Sequence, residues 1–212
     1  RKATRHATRF GLGWADLNND GLIDFLTADM SATTHFMQKT TMGSMSRFRD
    51  FLENARPRQY MRNALYLNSG TGRFMEAAYL AGLADTDWTW SVKLADFDND
   101  GLLDLFFTTV YGGDKSVLYR NAGGWKFEDV TAAAKVATAQ TYQAAWCDFD
   151  ADGYPDLVSG GRLFKNPGGP NHWLRVRVRG TKRVPSVGTQ VRLVLGGNTL
   201  VRQVEGTTGQ GN

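Results

Sequence analysis

Asp96-Phe-Asp-Asn-Asp-Gly-Leu-Leu-Asp104 recurs twice in this chain, as Asp16-Leu-Asn-Asn-Asp-Gly-Leu-Ile-Asp24 and as Asp148-Phe-Asp-Ala-Asp-Gly-Tyr-Pro-Asp156. Each version sets an oxygen-bearing side chain at loop positions 1, 3, 5 and 9, with glycine at position 6. The candidate ligands are Asp16, Asn18, Asp20 and Asp24, then Asp96, Asp98, Asp100 and Asp104, then Asp148, Asp150, Asp152 and Asp156. Position 7 (Leu22, Leu102, Tyr154) is expected to offer its backbone carbonyl, which leaves its side chain free to vary. The glycine permits a turn too sharp for a residue with a Cβ. Hard oxygen donors in this number suit Ca²⁺, which takes about 6–8 oxygens in flexible geometry. Without a cation, carboxylates so crowded repel one another and raise their own pKa values. One copy alone could be a solvated Asp/Gly turn. Three copies in one register point to up to three structural Ca²⁺ ions.

The loops are not EF-hands, which need a bidentate Glu at position 12 and helices on both sides. Position 12 here is Thr27, Phe107 and Ser159. Before each loop, apolar residues fall on alternate positions: Phe10, Leu12 and Trp14; Trp90, Val92 and Leu94; Tyr142, Ala144 and Trp146. That alternation predicts a strand with one buried face. Phe25-Leu26, Leu105-Phe106-Phe107 and Leu157-Val158 follow the loops and read as strands too. The unit is therefore strand, metal loop, strand.

The repeat runs beyond the loop. Leu65-Tyr-Leu-Asn68, Leu118-Tyr-Arg-Asn121 and Leu163-Phe-Lys-Asn166 are versions of one short strand ending at an Asn turn. The first two continue through glycine-rich turns to Phe74-Met-Glu-Ala and Phe127-Glu-Asp-Val. The second and third acidic loops lie roughly 50 residues apart, room for a four-stranded sheet. Short strands at such a period predict a propeller or solenoid, in which each unit buries its faces against its neighbours.

These motifs resemble FG-GAP/VCBS repeats, the blades of integrin α-like β-propellers. The tail, His172-Trp-Leu-Arg-Val-Arg-Val-Arg-Gly-Thr-Lys182 with Val187-Gly-Thr-Gln-Val-Arg-Leu-Val194 and Gly196-Gly197, resembles the ASPIC/UnbV domain that follows such blades in cartilage acidic protein-like secreted proteins. The resemblance implies an all-β fold: a partial propeller over residues 1–170 with calcium loops, then a partial ASPIC/UnbV-like β domain over 171–212. It also implies metals that are structural rather than catalytic, because in that family the calcium loops lie opposite the usual ligand face. Its implied setting is extracellular, periplasmic or cell-surface.

Forty-two per cent apolar residues and a net charge of +4 fit a globular chain. No apolar run approaches the roughly 18 residues of a membrane helix. The single cysteine, Cys147, excludes an internal disulfide framework and holds the slot of Ala15 and Ala95, which reads as a small core residue. Basic residues crowd both ends. In Arg175-Val-Arg-Val-Arg179 the arginines fall on one face of a predicted strand and the valines on the other. That face is either simply solvated or a docking surface for acidic polysaccharide, an anionic protein or lipid headgroups. No nucleic-acid module is present in the sequence.

Residues 31–62 interrupt the repeat. Met45, Phe48, Phe51 and Leu52 have helical spacing, which predicts a helical insertion serving as a packed cap or a partner-binding surface. Catalytic motifs are missing: no Gly-x-Ser-x-Gly, no His-Glu-x-x-His, no phosphate loop. His6, His35 and His172 match no metal spacing. A non-catalytic binding or assembly module is therefore expected. The alternative is a propeller enzyme acting on polysaccharide, with Asp85, Asp87, Tyr111 and Asp114 on the face opposite the calcium loops. Because propellers close with typically 4–8 blades, three loops predict a chain completed by other chains or by the remainder of a longer polypeptide.

Overall fold

The computed structural model describes residues 11–34, 54, 62–181 and 185–204. Nearly all of the expected helical insertion lies outside the described residues, as do the N-terminal basic residues Arg1, Lys2, Arg5 and Arg9. What is described is all-β and antiparallel, apart from one four-residue helix, α1 (Thr131–Ala134), and the helical residue Asn54.

Each acidic loop joins the first two strands of a sheet. β1 (Gly11–Ala15) and β2 (Asp24–Ala28) flank the first loop and continue into β4 (Ala64–Asn68) and β5 (Phe74–Glu76), in the order β1-β2-β4-β5. β6 (Asp87–Ala95) and β7 (Asp104–Thr109) flank the second and continue into β8 (Val117–Asn121) and β9 (Phe127–Asp129). β3 (Met30–Ser31) leaves the first unit and pairs along β6, so the second sheet reads β3-β6-β7-β8-β9. β10 (Ala144–Cys147), β11 (Asp156–Ser159) and β12 (Arg162–Phe164) form the third sheet. A separate hairpin, β13 (Gln190–Leu195) with β14 (Asn198–Gln203), follows. Thus the sequence units become sheets with one register: Ala15 faces Asp24, Ala95 faces Asp104, and Cys147 faces Asp156.

The sheets pack face to face, and the side chains that do so recur at matched positions. Between the first and second sheets lie Leu17, Leu26, Leu65, Leu83, Val92, Leu105 and Phe107. Between the second and third lie Ala95, Phe106, Leu118, Val136, Trp146 and Leu157. The residue just after each loop therefore faces the preceding sheet, and the next one faces the following sheet. Leu26 and Phe106, which have a following sheet, are sealed, whereas Val158 is 39% exposed. Leu65 and Leu118 are buried, whereas Leu163 is 46% exposed. The stack is open at both ends, and no closed ring is formed by the described residues.

Two strand expectations need correction. In β1 the predicted inward residues, Leu12 and Trp14, are exposed, and Gly13 is buried instead. The reason is close approach. A Cβ at Gly11 would strike the Ser91 backbone, and one at Gly13 would strike the Leu94 side chain, so β1 lies tight on β6 through its glycines. The predicted Arg175–Arg179 strand pairs with no other strand among the described residues, and Val176 is exposed along with the arginines. With no neighbouring strand to satisfy its backbone, alternation alone does not make a sheet. Cys147 is half-buried rather than a core residue.

Candidate metal centres

The loop backbone is held by its own carboxylates. In the first loop the Asp20 and Gly21 N–H groups donate to Asp16 at 3.0 and 2.9 Å, and Leu22 N–H donates to Asp20 at 2.8 Å. In the second, Gly101 N–H donates to Asp96 Oδ2 at 3.0 Å and Leu102 N–H to Asp100 at 2.9 Å. In the third, Gly153 N–H donates to Asp148 Oδ2 at 3.2 Å and Tyr154 N–H to Asp152 at 2.9 Å. The position-9 aspartates, all fully buried, tie each loop to its sheet. Asp104 accepts from Phe97 N–H at 3.0 Å and Asn121 N–H at 2.8 Å; Asp24 and Asp156 repeat the pattern with Leu17 and Asn68, and with Phe149 and Asn166.

Two of the three loops converge on a point. One carboxylate oxygen each from Asp96, Asp98 and Asp104 lies within 4.8 Å of the others, and the same holds for Asp148, Asp150 and Asp156. Asp96 Oδ1 and Asp148 Oδ1 are buried and have no hydrogen-bond partner. A buried carboxylate oxygen left unpaired is costly. A hard cation at that point would satisfy it, so the donor set fits Ca²⁺ on the structure's own terms. The first loop is different. Asp16, Asp20 and Asp24 do not converge in this way among the described residues, both Asp16 oxygens are taken by N–H groups, and the Asn18 amide donates to Asp20 Oδ2 at 2.8 Å. Of the fifteen expected ligand positions, six aspartates form the two clusters. Asn18, Asp20, Asp100 and Asp152 serve the loop turns, and the position-7 residues are placed by their N–H groups.

Crowding and burial leave a signature in the acidities. Burial, more than any other influence, pushes Asp24 and Asp96 up to about 6 and Asp104 up to about 8. Asp16 is raised for the same reason. Neighbouring loop carboxylates push the same way, while the Arg202 guanidinium pulls Asp96 down. A carboxyl raised in this way favours its neutral form, and a cation bound beside it would compete with the proton.

The loops are also bonded to one another. Asn19 donates to Gly101 O and Asn99 to Gly153 O, each at 3.1 Å, from left-handed backbone at φ near 57°. The strand-end Asn121 donates to Leu103 O in its own loop and to Leu17 O in the preceding one, and Asn166 does likewise to Pro155 O and Phe97 O. Sequence reading found the Leu-Tyr-x-Asn strands but not these amides' partners, which lie up to 104 residues away. It also missed the basic side chains on the loops. Arg120 reaches Asp98 at 2.8 Å and Asp100 at 3.3 Å, Lys165 reaches Asp150 at 2.5 Å, Arg202 reaches Asp96 at 3.2 Å, and Arg175 is paired with Asp148.

On the opposite side, Asp87 sits at a positive φ of 57° and accepts from Thr33 through Oδ1. Nearby Asp114 is buried, with Oδ2 unpaired, and is raised first by burial and then by the Asp87 charge. Tyr111 is stacked on Trp88, and Asp85 is exposed.

Residues 16–107 and 96–159 both match the model of the FG-GAP-like repeat, and each match begins on the first aspartate of an acidic loop. This chain belongs to the FG-GAP-like repeat family. Repeats of that kind are typical of extracellular proteins, and among the described residues no helix is long and apolar enough to cross a membrane. No curated protein matches the chain.

Proposed function

We propose that this chain is a calcium-stabilised, non-catalytic binding or assembly module of an exported protein, built from propeller-type blades. The observation that carries the reading is the pair of buried, unpartnered oxygens, Asp96 Oδ1 and Asp148 Oδ1, each within a convergent aspartate cluster. Calcium here is structural: the clusters sit at the tips of sheet hairpins and knit backbone. The C-terminal hairpin is read as part of an ASPIC/UnbV-like domain. Its partners are other chains, or the rest of a longer polypeptide, that cover the open sheet faces. Arg177 and Arg179, both exposed, remain available to an acidic polysaccharide or other anionic surface.

Calcium uptake tests this. Two ions per chain are expected first, in the extracellular-module range of about 10⁻⁴–10⁻³ M, with the first loop binding most weakly or last. Chelation should lower the melting temperature, since an ion that binds only the folded state stabilises it. An unchanged melting curve in excess EDTA, together with no calcium retained on equilibrium dialysis, would refute the reading. The alternative, a polysaccharide-active enzyme using the opposite face, draws its support from the strained Asp87 beside the buried Asp114.

A further inference from the structure

Loops two and three carry a charge pattern that loop one lacks. Each has four aspartates, at positions 1, 3, 5 and 9, and two basic side chains bonded to them. One basic residue comes from the strand of the same unit. Arg120 and Lys165 occupy the third place of Leu-Tyr-Arg-Asn and Leu-Phe-Lys-Asn, and both reach the position-3 aspartate. In the first unit that place is Leu67, and position 3 is the neutral Asn18, so acid and base are absent together. The other basic residue comes from the C-terminal arm, residues 171–181 and 185–204. Arg202 binds the second loop and Arg175 the third, each on Oδ2 of the position-1 aspartate. With all four carboxylates ionised, four negative and two positive charges leave −2 on each loop, which one divalent cation would neutralise.

The arm is fastened around these two contacts. Arg202 also donates to Gly101 O at 3.3 Å, Leu200 lies against Gly101, and Val201 is buried. Trp173 lies so close over Gly153 that a Cβ there would overlap its indole. Asn171 donates to Asp98 O at 2.9 Å. Beneath β14 a cavity of about 300 Å³ is lined by Leu12, Trp14, Lys93 and Leu94 together with Val201 and Arg202.

The structure assigns the arm the role of a cationic counterweight: Arg202 and Arg175 hold Oδ2 of an aspartate whose buried Oδ1 has no partner and is free to take a cation, so arm docking and calcium binding oppose one another. The inference rests on the calcium reading above. A divalent cation held by the same aspartate as a guanidinium would be a like charge close to it, and the aspartates are largely shielded from water, where repulsion is stronger than in bulk solvent. The calcium-free loop needs the arginine most. Once calcium neutralises the cluster, the arginine gains less from the aspartate, and the coupling is the same in both directions. Calcium therefore loosens the arm over the Leu12/Trp14 cavity, and an undocked arm tightens calcium.

The whole chain serves for the test. Calcium titration of R175Q/R202Q should show affinity raised by about fivefold, the low end of typical site-to-site coupling. The charge-retaining R175K/R202K should stay near wild type. Hydrogen exchange on the unmutated chain needs no substitution: amides of 171–176 and of β13–β14 should exchange severalfold faster in saturating calcium than in EDTA. Equal or weaker affinity in the Gln pair, or arm amides slowed by calcium, overturns the counterweight while leaving the calcium reading intact. Failure of the wild type to take up calcium overturns both.

Discussion

Removing Asp104 should do a different kind of damage from removing Asp100, although both belong to the second acidic loop. Asp104 is fully buried and accepts from the Phe97 and Asn121 N–H groups. Asp104→Ala leaves both donors unsatisfied inside the sheet, at about 1–3 kcal/mol each. Relief of a carboxyl whose burial raises it to about 8 offsets part of this, leaving roughly 2–4 kcal/mol of destabilisation. For a chain of this size that is about 5–15 °C in melting temperature. The loss should appear in EDTA, before calcium matters.

Asp100 is exposed and accepts within the turn from Leu102 N–H. In EDTA, Asp100→Ala should cost less than about 1 kcal/mol, as exposed turn contacts do. Its effect belongs to calcium, through the turn that carries the Asp96/Asp98/Asp104 cluster. At about 2 mM free ion, a site with a dissociation constant of about 0.1–1 mM adds about 0.6–1.8 kcal/mol. The variant should lose that increment for its loop while Asp104→Ala loses it on top of the larger intrinsic cost. Calorimetric melting of both variants and wild type, in EDTA and in calcium, separates the two. If Asp104→Ala melts like wild type in EDTA, or Asp100→Ala keeps the full calcium response, the division of labour between positions 9 and 5 is wrong.

Acidity gives a second expectation. Burial holds Asp24 and Asp96 at about 6 and Asp104 at about 8, all above the ordinary 3.8, so between about pH 4 and 8 the folded metal-free chain binds more protons than the unfolded one. The stability contributed by these groups is present at low pH and is lost as pH rises through that window; melting in EDTA should fall from pH 5 to 8, calcium should flatten the fall, and a rise in EDTA would contradict it. The open stack gives a third: with Phe149, Val158 and Leu163 exposed where their counterparts are covered, residues 1–212 alone should self-associate on size-exclusion chromatography with light scattering, and a monodisperse, cooperatively melting monomer would refute the need for a partner.

The loops and their flanking strands were legible because both are written in local spacing. Four oxygens and a glycine within nine residues, flanked by apolar runs, leave few other structures open. What was not legible is set by distance. Leu12 and Trp14 read as inward residues by alternation, but the deciding fact is that Gly11 and Gly13 let β1 press on β6, a contact across some 80 positions that no local period encodes. Arg175-Val-Arg-Val-Arg179 alternates as well as any strand, yet among the described residues no neighbouring backbone pairs with it, and Arg175 is drawn to Asp148 instead. The difference between the first loop and the others did leave a local trace: Asn18 with Leu67, against Asp98 with Arg120 and Asp150 with Lys165. Seeing it required knowing that the third strand returns over the loop.

The amide links between loops have an energetic consequence of their own. Asn121 is buried and satisfies a carbonyl in the loop of its own sheet and another in the loop before it. Asn19 and Asn99 bridge the loops again by donating to the glycine carbonyls at the next loop's turn. On the calcium reading proposed above, a loop that lost its cation and relaxed would withdraw a hydrogen-bond acceptor from its neighbour, leaving an amide unpaired there, and the sites would not empty independently. The position-4 link runs from the first loop to the second and from the second to the third, and stops at Ala151, which has the same left-handed backbone but no amide to donate. The third loop is thus held by its predecessor but holds nothing after it, and it is where Trp173 and Arg175 of the arm come down.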